Sequence, residues 1–521
     1  MTTIRKLWKE NICYKALLLI LLLLMLVPYL HQELAPLAKI FLIWGYGYII
    51  YDFVTGRTLW KRRSLFLLLG FCTCYAITIF LNRETAFTTN LKALLYMVML
   101  FILLCGSRRT EQNKETDRGE MLRREITILT RTMLVVTFLL SLVCLMTFLL
   151  NLSGQYPLAD GSLAYLGMID GRLWGLYNAN TGGALNAISV VTILFALQVQ
   201  KDTGRAFWKA FYLISLVVHV SCLSLSGSRT ALLALLAVLS IAVYLWMPME
   251  HWVKRKRKPG RVRLFLLRVL AAIIIFMAGY AVCALTGALF HAIPRGEVQR
   301  ITITREQRKE NAAAETNAQE SANGKIDEGM ETGAAGSAGD IIAEAHAENT
   351  ETEVPPGEIT SPVRTDGGVL TGRPILWRAG LQTFEKHPLF GVTREKLVPA
   401  TVPELSNPAW EPDLTAGGVH NGYLTVLICS GITGTACLLA YVVVNVCNFR
   451  KAAAAKKQRK PKKDSIPTLR KGAIALLLLF LIMELMEARV LYQINFFLFL
   501  FWLIVGYLTA DGGGDAYEKS L

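Results

Sequence analysis

Twelve mostly apolar stretches recur along the 521-residue chain, near 16–30, 37–54, 64–81, 91–105, 133–151, 182–200, 208–225, 231–247, 264–290, 421–447, 472–487 and 490–509. A helix needs about 20 mostly apolar residues to cross a bilayer, and inside lipid it must satisfy its backbone internally. A chain patterned this way is therefore predicted to be an all-α polytopic membrane protein of about 12 transmembrane helices. Composition agrees, with 53% of residues hydrophobic and 18% charged, where soluble domains carry about 25% charge. An ordinary soluble enzyme, a disordered chain and a disulfide scaffold are excluded. The stretches near 91, 472 and 490 are short by strict apolar count, and their ends are the least defined. No small-residue cleavage site follows Leu30, so the first stretch reads as a span rather than a signal peptide.

The chain carries 55 Lys and Arg against 39 Asp and Glu, a net charge of +16. Such an excess points to nucleic acid or a membrane surface, and its distribution decides which. Basic residues gather at the N-terminus (Arg5, Lys6, Lys9, Lys15) and then in every second connection. The second holds Arg57, Lys61, Arg62 and Arg63, the eighth runs Lys254-Arg255-Lys256-Arg257-Lys258, and the tenth has ten basic residues between Arg450 and Lys471. The odd-numbered short connections are nearly free of them, with exceptions such as Arg83, Arg172, Arg229 and Arg489. This alternation predicts a multi-pass protein of the cytoplasmic membrane with both termini cytoplasmic. Its partners are then membrane lipids, not nucleic acid. The ten cysteines fall in or beside apolar runs, and Cys72 and Cys74 form only a C-x-C, so buried thiols are expected rather than zinc sites or disulfides.

Four segments follow from this pattern. Residues 1–291 hold the first nine spans, and 420–521 hold the last three with a cytoplasmic C-terminus. Between them 292–419 is too long for a turn and by the alternation lies outside. It has 20 acidic and 12 basic residues, a net of −8 that leaves +24 for the rest of the chain. Residues 292–369 read as a largely disordered acidic insert, because 297–368 lacks aromatics and cannot bury enough apolar surface to order itself. Residues 370–419 change character. Pro374 suits a first helical turn, Ile375, Leu376, Ala379 and Phe384 share a face, and His387-Pro388 ends the run. An amphipathic helix on the outer membrane surface is predicted there.

An arginine in an otherwise uncharged external turn is not needed for orientation. Arg172 lies in a turn with Asn178 and Asn180, Arg229 follows Ser226-Gly227-Ser228 with almost no loop around it, and Arg373 opens the surface helix. Guanidinium forks suit diphosphate oxygens, since they bind two oxygens in a fixed plane. The alternative is that each arginine snorkels to headgroups or caps a helix. His420, in Gly417-Gly418-Val419-His420-Asn421-Gly422-Tyr423, can exchange a proton near neutral pH and so serve as a general base, or it can be a structural interfacial histidine. No His, Cys and carboxylate cluster surrounds it in the sequence, so neither a catalytic metal nor a cofactor is expected. Glu484, Glu487 and Arg489, near the end of the eleventh stretch, are intramembrane or interfacial charges that are either functional or a mutual ion pair.

Together these motifs resemble the O-antigen ligase and polymerase family of membrane glycosyltransferases. The ligase histidine motif is matched in full by His420-Asn421, nine residues, then Gly431-Ile432-Thr433-Gly434. The ligases' arginine and leucine are matched by Arg229 and Leu233, and further elements by Gly372-Arg373, Trp377 and Pro388-Leu389-Phe390-Gly391. The chain departs from the family where Asn178-Ala179-Asn180 stands for an Asn-Pro-Asn-like turn, and where Thr393 stands for a glycine. The resemblance covers 165–235 and 370–440.

The resemblance implies transfer of a glycan from an undecaprenyl-diphosphate carrier to an acceptor hydroxyl on the outer face of the membrane. It implies that Arg229, with Arg172 and Arg373, clamps the diphosphate and that His420 deprotonates or orients the acceptor, with inversion and without a metal. Ser228, Asn178, Asn180 and Asn421 would support these residues. The acceptor is a glycan, lipid or protein. A polysaccharide polymerase and a protein O-oligosaccharyltransferase are alternatives of the same family, and a secondary transporter is the alternative from another class.

Overall fold

The computed structural model describes residues 11–56, 59–60, 62–106, 115–158, 163–169, 171–200, 206–247, 261–296, 299–302, 372–456 and 466–510. The basic run Lys254–Lys258, Arg5, Lys6 and Lys9, and the insert between 303 and 371 lie outside the described residues. The chain runs α1 (Ile12–Leu24), α2 (Pro28–Thr55), α3 (Leu65–Leu81), α4 (Phe87–Leu100, continued by a π turn over Phe101–Cys105) and α5 (Glu115–Leu149). Strands β1 (Leu152–Pro157), β2 (Leu163–Ile169) and β3 (Arg172–Gly175) come next, then α6 (Ala179–Gln200), α7 (Ala206–Ser226), α8 (Arg229–Trp246) and α9 (Arg261–His291). Strand β4 (Gln299–Thr302) precedes α10 (Arg373–Lys386), α11 (Leu397–Thr401), α12 (Glu411–Gly417), α13 (Gly422–Lys456), α14 (Ile466–Met483) and α15 (Phe496–Ala510).

Each of the twelve apolar stretches overlaps a helix, though those near 472–487 and 490–509 run on into non-helical chain. Among the described residues eight helices are long and apolar enough to cross a membrane, and three others, at Ile12–Leu24, Leu65–Leu81 and Phe496–Thr509, are apolar but shorter. The protein is thus a mostly helical, multi-pass membrane protein.

Contacts between connections fall into two groups that follow the charge alternation. Tyr29 N donates to Tyr156 Oη at 3.2 Å, Asn82 Nδ2 to the Gly391 carbonyl at 3.3 Å, and Arg172 Nε to the Ser226 carbonyl at 2.9 Å. These join the first to the fifth connection, the third to the ninth and the fifth to the seventh. The other group holds Glu125, whose Oε1 takes both Lys15 Nζ and Tyr507 Oη at 2.8 Å. It also holds Arg62, which donates to Thr509 Oγ1 at 2.7 Å, and Arg131, 4.3 Å above the Trp208 ring. Among the described residues these contacts form one group at the odd-numbered connections and another at the helix ends next to the even-numbered connections and the chain termini.

Three expectations need correction. The fold is not all-α: among the described residues four strands form one sheet in the order β3-β2-β1-β4. Their alternation is too short to register beside membrane helices, but Gly171, at φ +68° just before β3, gives the left-handed backbone of a tight return, and β3 pairs antiparallel with β2. Second, β4 falls inside the segment expected to be disordered. Its Ile301 and Thr302 suit a strand, and it pairs in parallel with β1 from Leu152↔Gln299 to Gln155↔Thr302. Third, α14 ends at Met483 and α15 starts at Phe496. Residues 484–495 are a connection, in which Val490, Leu491 and Tyr492 are buried against protein, so hydropathy alone read them as span. Glu484, Glu487 and Arg489 therefore sit in a connection outside the helices.

The predicted surface helix is α10, with Leu376, Ala379, Gly380 and Thr383 buried. It docks on α13 rather than lying free: a Cβ on Gly380 would come within 2.9 Å of Ile428 Cδ1 and of Val419. A second close approach explains two motif glycines. Helix α13 is broken at Gly431 (φ 60°, ψ −168°), a conformation essentially confined to glycine. The Pro388–Gly391 turn inserts at the break. Ile432 N donates to the Pro388 carbonyl at 2.8 Å, Thr433 Oγ1 to the Leu389 carbonyl at 2.8 Å, and Val392 N to the Ile428 carbonyl at 3.0 Å. Thr393, where the family pattern has glycine, has φ +70° and is fully buried, so its left-handed backbone is held by the packing around it.

Candidate functional site

The segment that carries His420 is short and tightly fixed. Asn421 caps α13: its Oδ1 accepts Leu424 N at 2.9 Å and its carbonyl accepts Thr425 N at 2.9 Å. Its Nδ2 donates to the Leu485 carbonyl at 3.2 Å, and Gly422 N donates to the Glu484 carbonyl at 2.7 Å. A Cβ on Gly422 would fall 1.9 Å from Glu484 Oε2, so a larger residue there would have to move that side chain. His420 itself has φ +49°, and its ring lies where a Cβ on Gly417 would be. Strained backbone at a non-glycine residue persists only where the surroundings hold it.

These ties bring the 484–495 connection against the histidine. Glu487 lies at the centre. Its Oε2 is 3.6 Å from His420 Nδ1 and 3.6 Å from Arg489 Nη2, and its Oε1 is 3.8 Å from Arg373 Nη2. The four side chains are 21%, 14%, 13% and 12% exposed for His420, Glu487, Arg489 and Arg373, so a ligand can reach them while most bulk water is kept out. The two carboxyls of the connection differ. Burial pushes Glu484 up to about 8, although Arg489 opposes it with its N–H, at 3.0 and 3.3 Å from the two oxygens, and with its charge. For Glu487 burial acts in the same sense, but Arg489, His420 and Arg373 outweigh it and hold the carboxyl well below the ordinary range. The two carboxyls are thus pushed in opposite directions, Glu484 towards its neutral form and Glu487 towards its charged one.

A second group meets the first across the start of α6. Arg172 donates from Nε to the Ser226 carbonyl at 2.9 Å and from Nη2 to Asn180 Oδ1 at 2.9 Å, and lies along Gly227. Asn178 caps α6, accepting Asn180 N on its Oδ1 at 2.8 Å, which puts Ala179 in the first helical position. Proline is favoured at that position, which accounts for the Asn-Pro-Asn form of the pattern. One residue on, Thr181 Oγ1 accepts Arg489 Nη1 at 3.3 Å. Ser228 makes no side-chain cap to α8; its side chain packs against α6 where Gly183 leaves no room for a Cβ. Arg229 is exposed in the first turn of α8, three residues beyond the carbonyl that Arg172 grips.

The structure thus joins His420, Arg373, Glu487 and Arg489 in one cluster, and Arg172, Asn180 and the Ser226–Arg229 turn in a neighbouring one. Thr181 and the Ser226 carbonyl were not foreseen; neither residue type marks itself in a sequence, and only the turn composition around them hinted at the place. The fifth, seventh, ninth and eleventh connections all contribute, and the result is a largely buried basic cluster that includes an imidazole.

Residues 214–439 match the family model for O-antigen ligase. That match supports an assignment to the O-antigen ligase/polymerase family on residues 214–439. A comparison with curated proteins gives no match. That family is one of membrane glycosyltransferases of the O-antigen ligase/polymerase type, which implies lipid-linked glycans as substrates. The O-antigen ligase match runs from within α7 into α13, so it takes in Arg229, Arg373, His420 and the Gly431 break. It leaves Arg172 and the connection bearing Glu484, Glu487 and Arg489 outside, although both touch the matched part directly.

Proposed function

We propose that the chain moves a glycan from an undecaprenyl-diphosphate carrier to an acceptor hydroxyl at the outer face of the cytoplasmic membrane, with His420 as base and without a metal. The observation that carries this reading is the histidine held among Arg373 and Arg489 at a shared carboxylate, beside the turns that bear Arg172 and Arg229. His420 takes the acceptor's hydroxyl proton, and the oxygen attacks the anomeric carbon from the face opposite the diphosphate. The bond from that carbon to the diphosphate oxygen breaks, and its electron pair leaves on the carrier. Arginines around the cluster stabilise the negative charge that grows there, in a site where water is scarce and the interaction correspondingly strong. The product is inverted at the anomeric carbon.

The test is transfer by the purified protein from an undecaprenyl-diphosphate-linked glycan, with a chelator present. His420→Ala and Arg229→Ala are each expected to abolish it while the protein still inserts. Transfer retained in both contradicts the assignment.

Glu484 gives a pH prediction of known sign. Its carboxyl is protonated at pH 7 and ionises as pH rises through about 8, adding a negative charge beside the site of a dianionic group. The KM for the glycan donor is therefore expected to rise above pH 8. Glu484→Gln, which mimics the protonated form, should remove that rise while costing less than about tenfold at pH 7. An unchanged alkaline profile in the variant would contradict the account.

A further inference from the structure

The transfer reaction uses His420 and the arginines but gives Glu487 no task, although it is the best-connected charge in the cluster. Three basic groups from three segments converge on it: Arg373 from α10, His420 from the turn before α13, and Arg489 from its own connection. Counter-ion duty alone would be met by either arginine contact. The approach to the imidazole is built separately. Asn421 and Gly422, next to the histidine, hydrogen-bond to the carbonyls of Leu485 and Glu484, so the turn bearing Glu487 is tied to the turn bearing His420 at two points. Gly417 fixes the ring from the other side. It is Nδ1 that this arrangement aims at the carboxylate, which leaves Nε2 as the nitrogen able to meet an acceptor.

We propose that Glu487 is the positioning residue of His420. Its carboxylate accepts the Nδ1 proton, which selects the tautomer with a bare Nε2, and it stabilises the imidazolium formed when the acceptor's proton arrives. This rests on His420 being the base. In the donor-free protein the carboxylate is shared with Arg373 and Arg489. A bound diphosphate offers both guanidiniums a stronger anion, and Glu487 is then left to the imidazole, so that donor binding and base activation are coupled. Contacts of 3.6 Å are of the kind that tighten once substrate is present.

The charged groups facing this pair are Arg373, Arg489 and Glu484, and Glu484 bears on the alkaline side of the profile only. Removing the carboxylate takes a negative charge from beside an imidazolium, which disfavours the protonated ring. The acidic limb of the kcat profile in Glu487→Gln is therefore expected to move about one pH unit lower, with plateau kcat down by about a hundredfold or more and KM for the donor not raised. Glu487→Asp, which keeps the charge, should hold the limb at its wild-type position with an intermediate kcat. A purely structural counter-ion predicts the reverse: displaced arginines, a raised KM and an unmoved limb, and that result overturns the proposal. If the glutamine variant does not accumulate, Glu487→Asp decides, since wild-type kcat or a raised KM in it overturns the proposal equally. His420→Ala separates the two levels of the reading. Transfer surviving in it removes the base itself, whereas transfer lost there with an unmoved limb in Glu487→Gln removes only the role of Glu487.

Discussion

Exchanging His420 for alanine is expected to cut glycan transfer by about a thousandfold, within the range that a positioned general base contributes. The folded protein should persist, because the segment is held by the backbone and side chain of Asn421 and by Gly422 N, none of which needs the imidazole. Donor binding should persist as well, since Arg489 is held by Thr181 Oγ1, by the Glu484 carboxyl and by Asn495, none of which needs the imidazole. The signature is thus a loss in kcat with donor KM little changed. Measuring both constants, together with the amount of protein in the membrane, checks it.

The second large effect is on the fold. Gly431→Ala should lower stability by several kcal/mol and sharply reduce the amount of folded protein. At φ 60° and ψ −168° an alanine pays backbone strain of about 1–3 kcal/mol. Its Cβ would also fall 2.3 Å from the Leu389 carbonyl oxygen and 2.6 Å from Phe390 N, both backbone atoms that cannot swing aside. Overpacking of this sort costs about 1–3 kcal/mol more. Against a total stability of about 5–15 kcal/mol the sum is decisive. Thermal unfolding in detergent, compared with an alanine at Gly47, where a Cβ meets nothing within 4 Å, is the measurement. Equal unfolding temperatures would contradict the account of the break in α13.

Much of this was legible in the chain itself. The apolar stretches and the alternation of Lys and Arg predicted a multi-pass helical protein, and the side-by-side contacts of odd with odd connections agree with that ordering. Arg172, Arg229, Arg373, His420, Glu487 and Arg489 each stood out as charges that orientation did not require. Their mutual contacts were not legible, because His420 meets Glu487 only through the ties of Asn421, Gly422 and Tyr423 to the carbonyls of Leu485, Glu484 and Leu481, far apart in sequence. Hydropathy also failed at 484–495. Val490, Leu491 and Tyr492 are apolar because they face protein, and a window of sequence reads that as it reads lipid. The glycines of the histidine motif were visible as a pattern, but their reason, a turn threaded against a broken helix, needed Leu389 and Gly431 in one frame. The strands failed for want of length. A four-residue β4 has almost no period to detect, and Gly171 was the one signal present.

The proposed transfer from a lipid diphosphate by way of His420 is tested by single-turnover transfer with purified protein in vesicles loaded with an undecaprenyl-diphosphate-linked glycan, following the anomeric configuration of the product. An inverted product is expected from the wild-type protein with chelator present, and background transfer from His420→Ala at saturating donor. A retained configuration, or transfer by His420→Ala near the wild-type rate, would contradict the proposal.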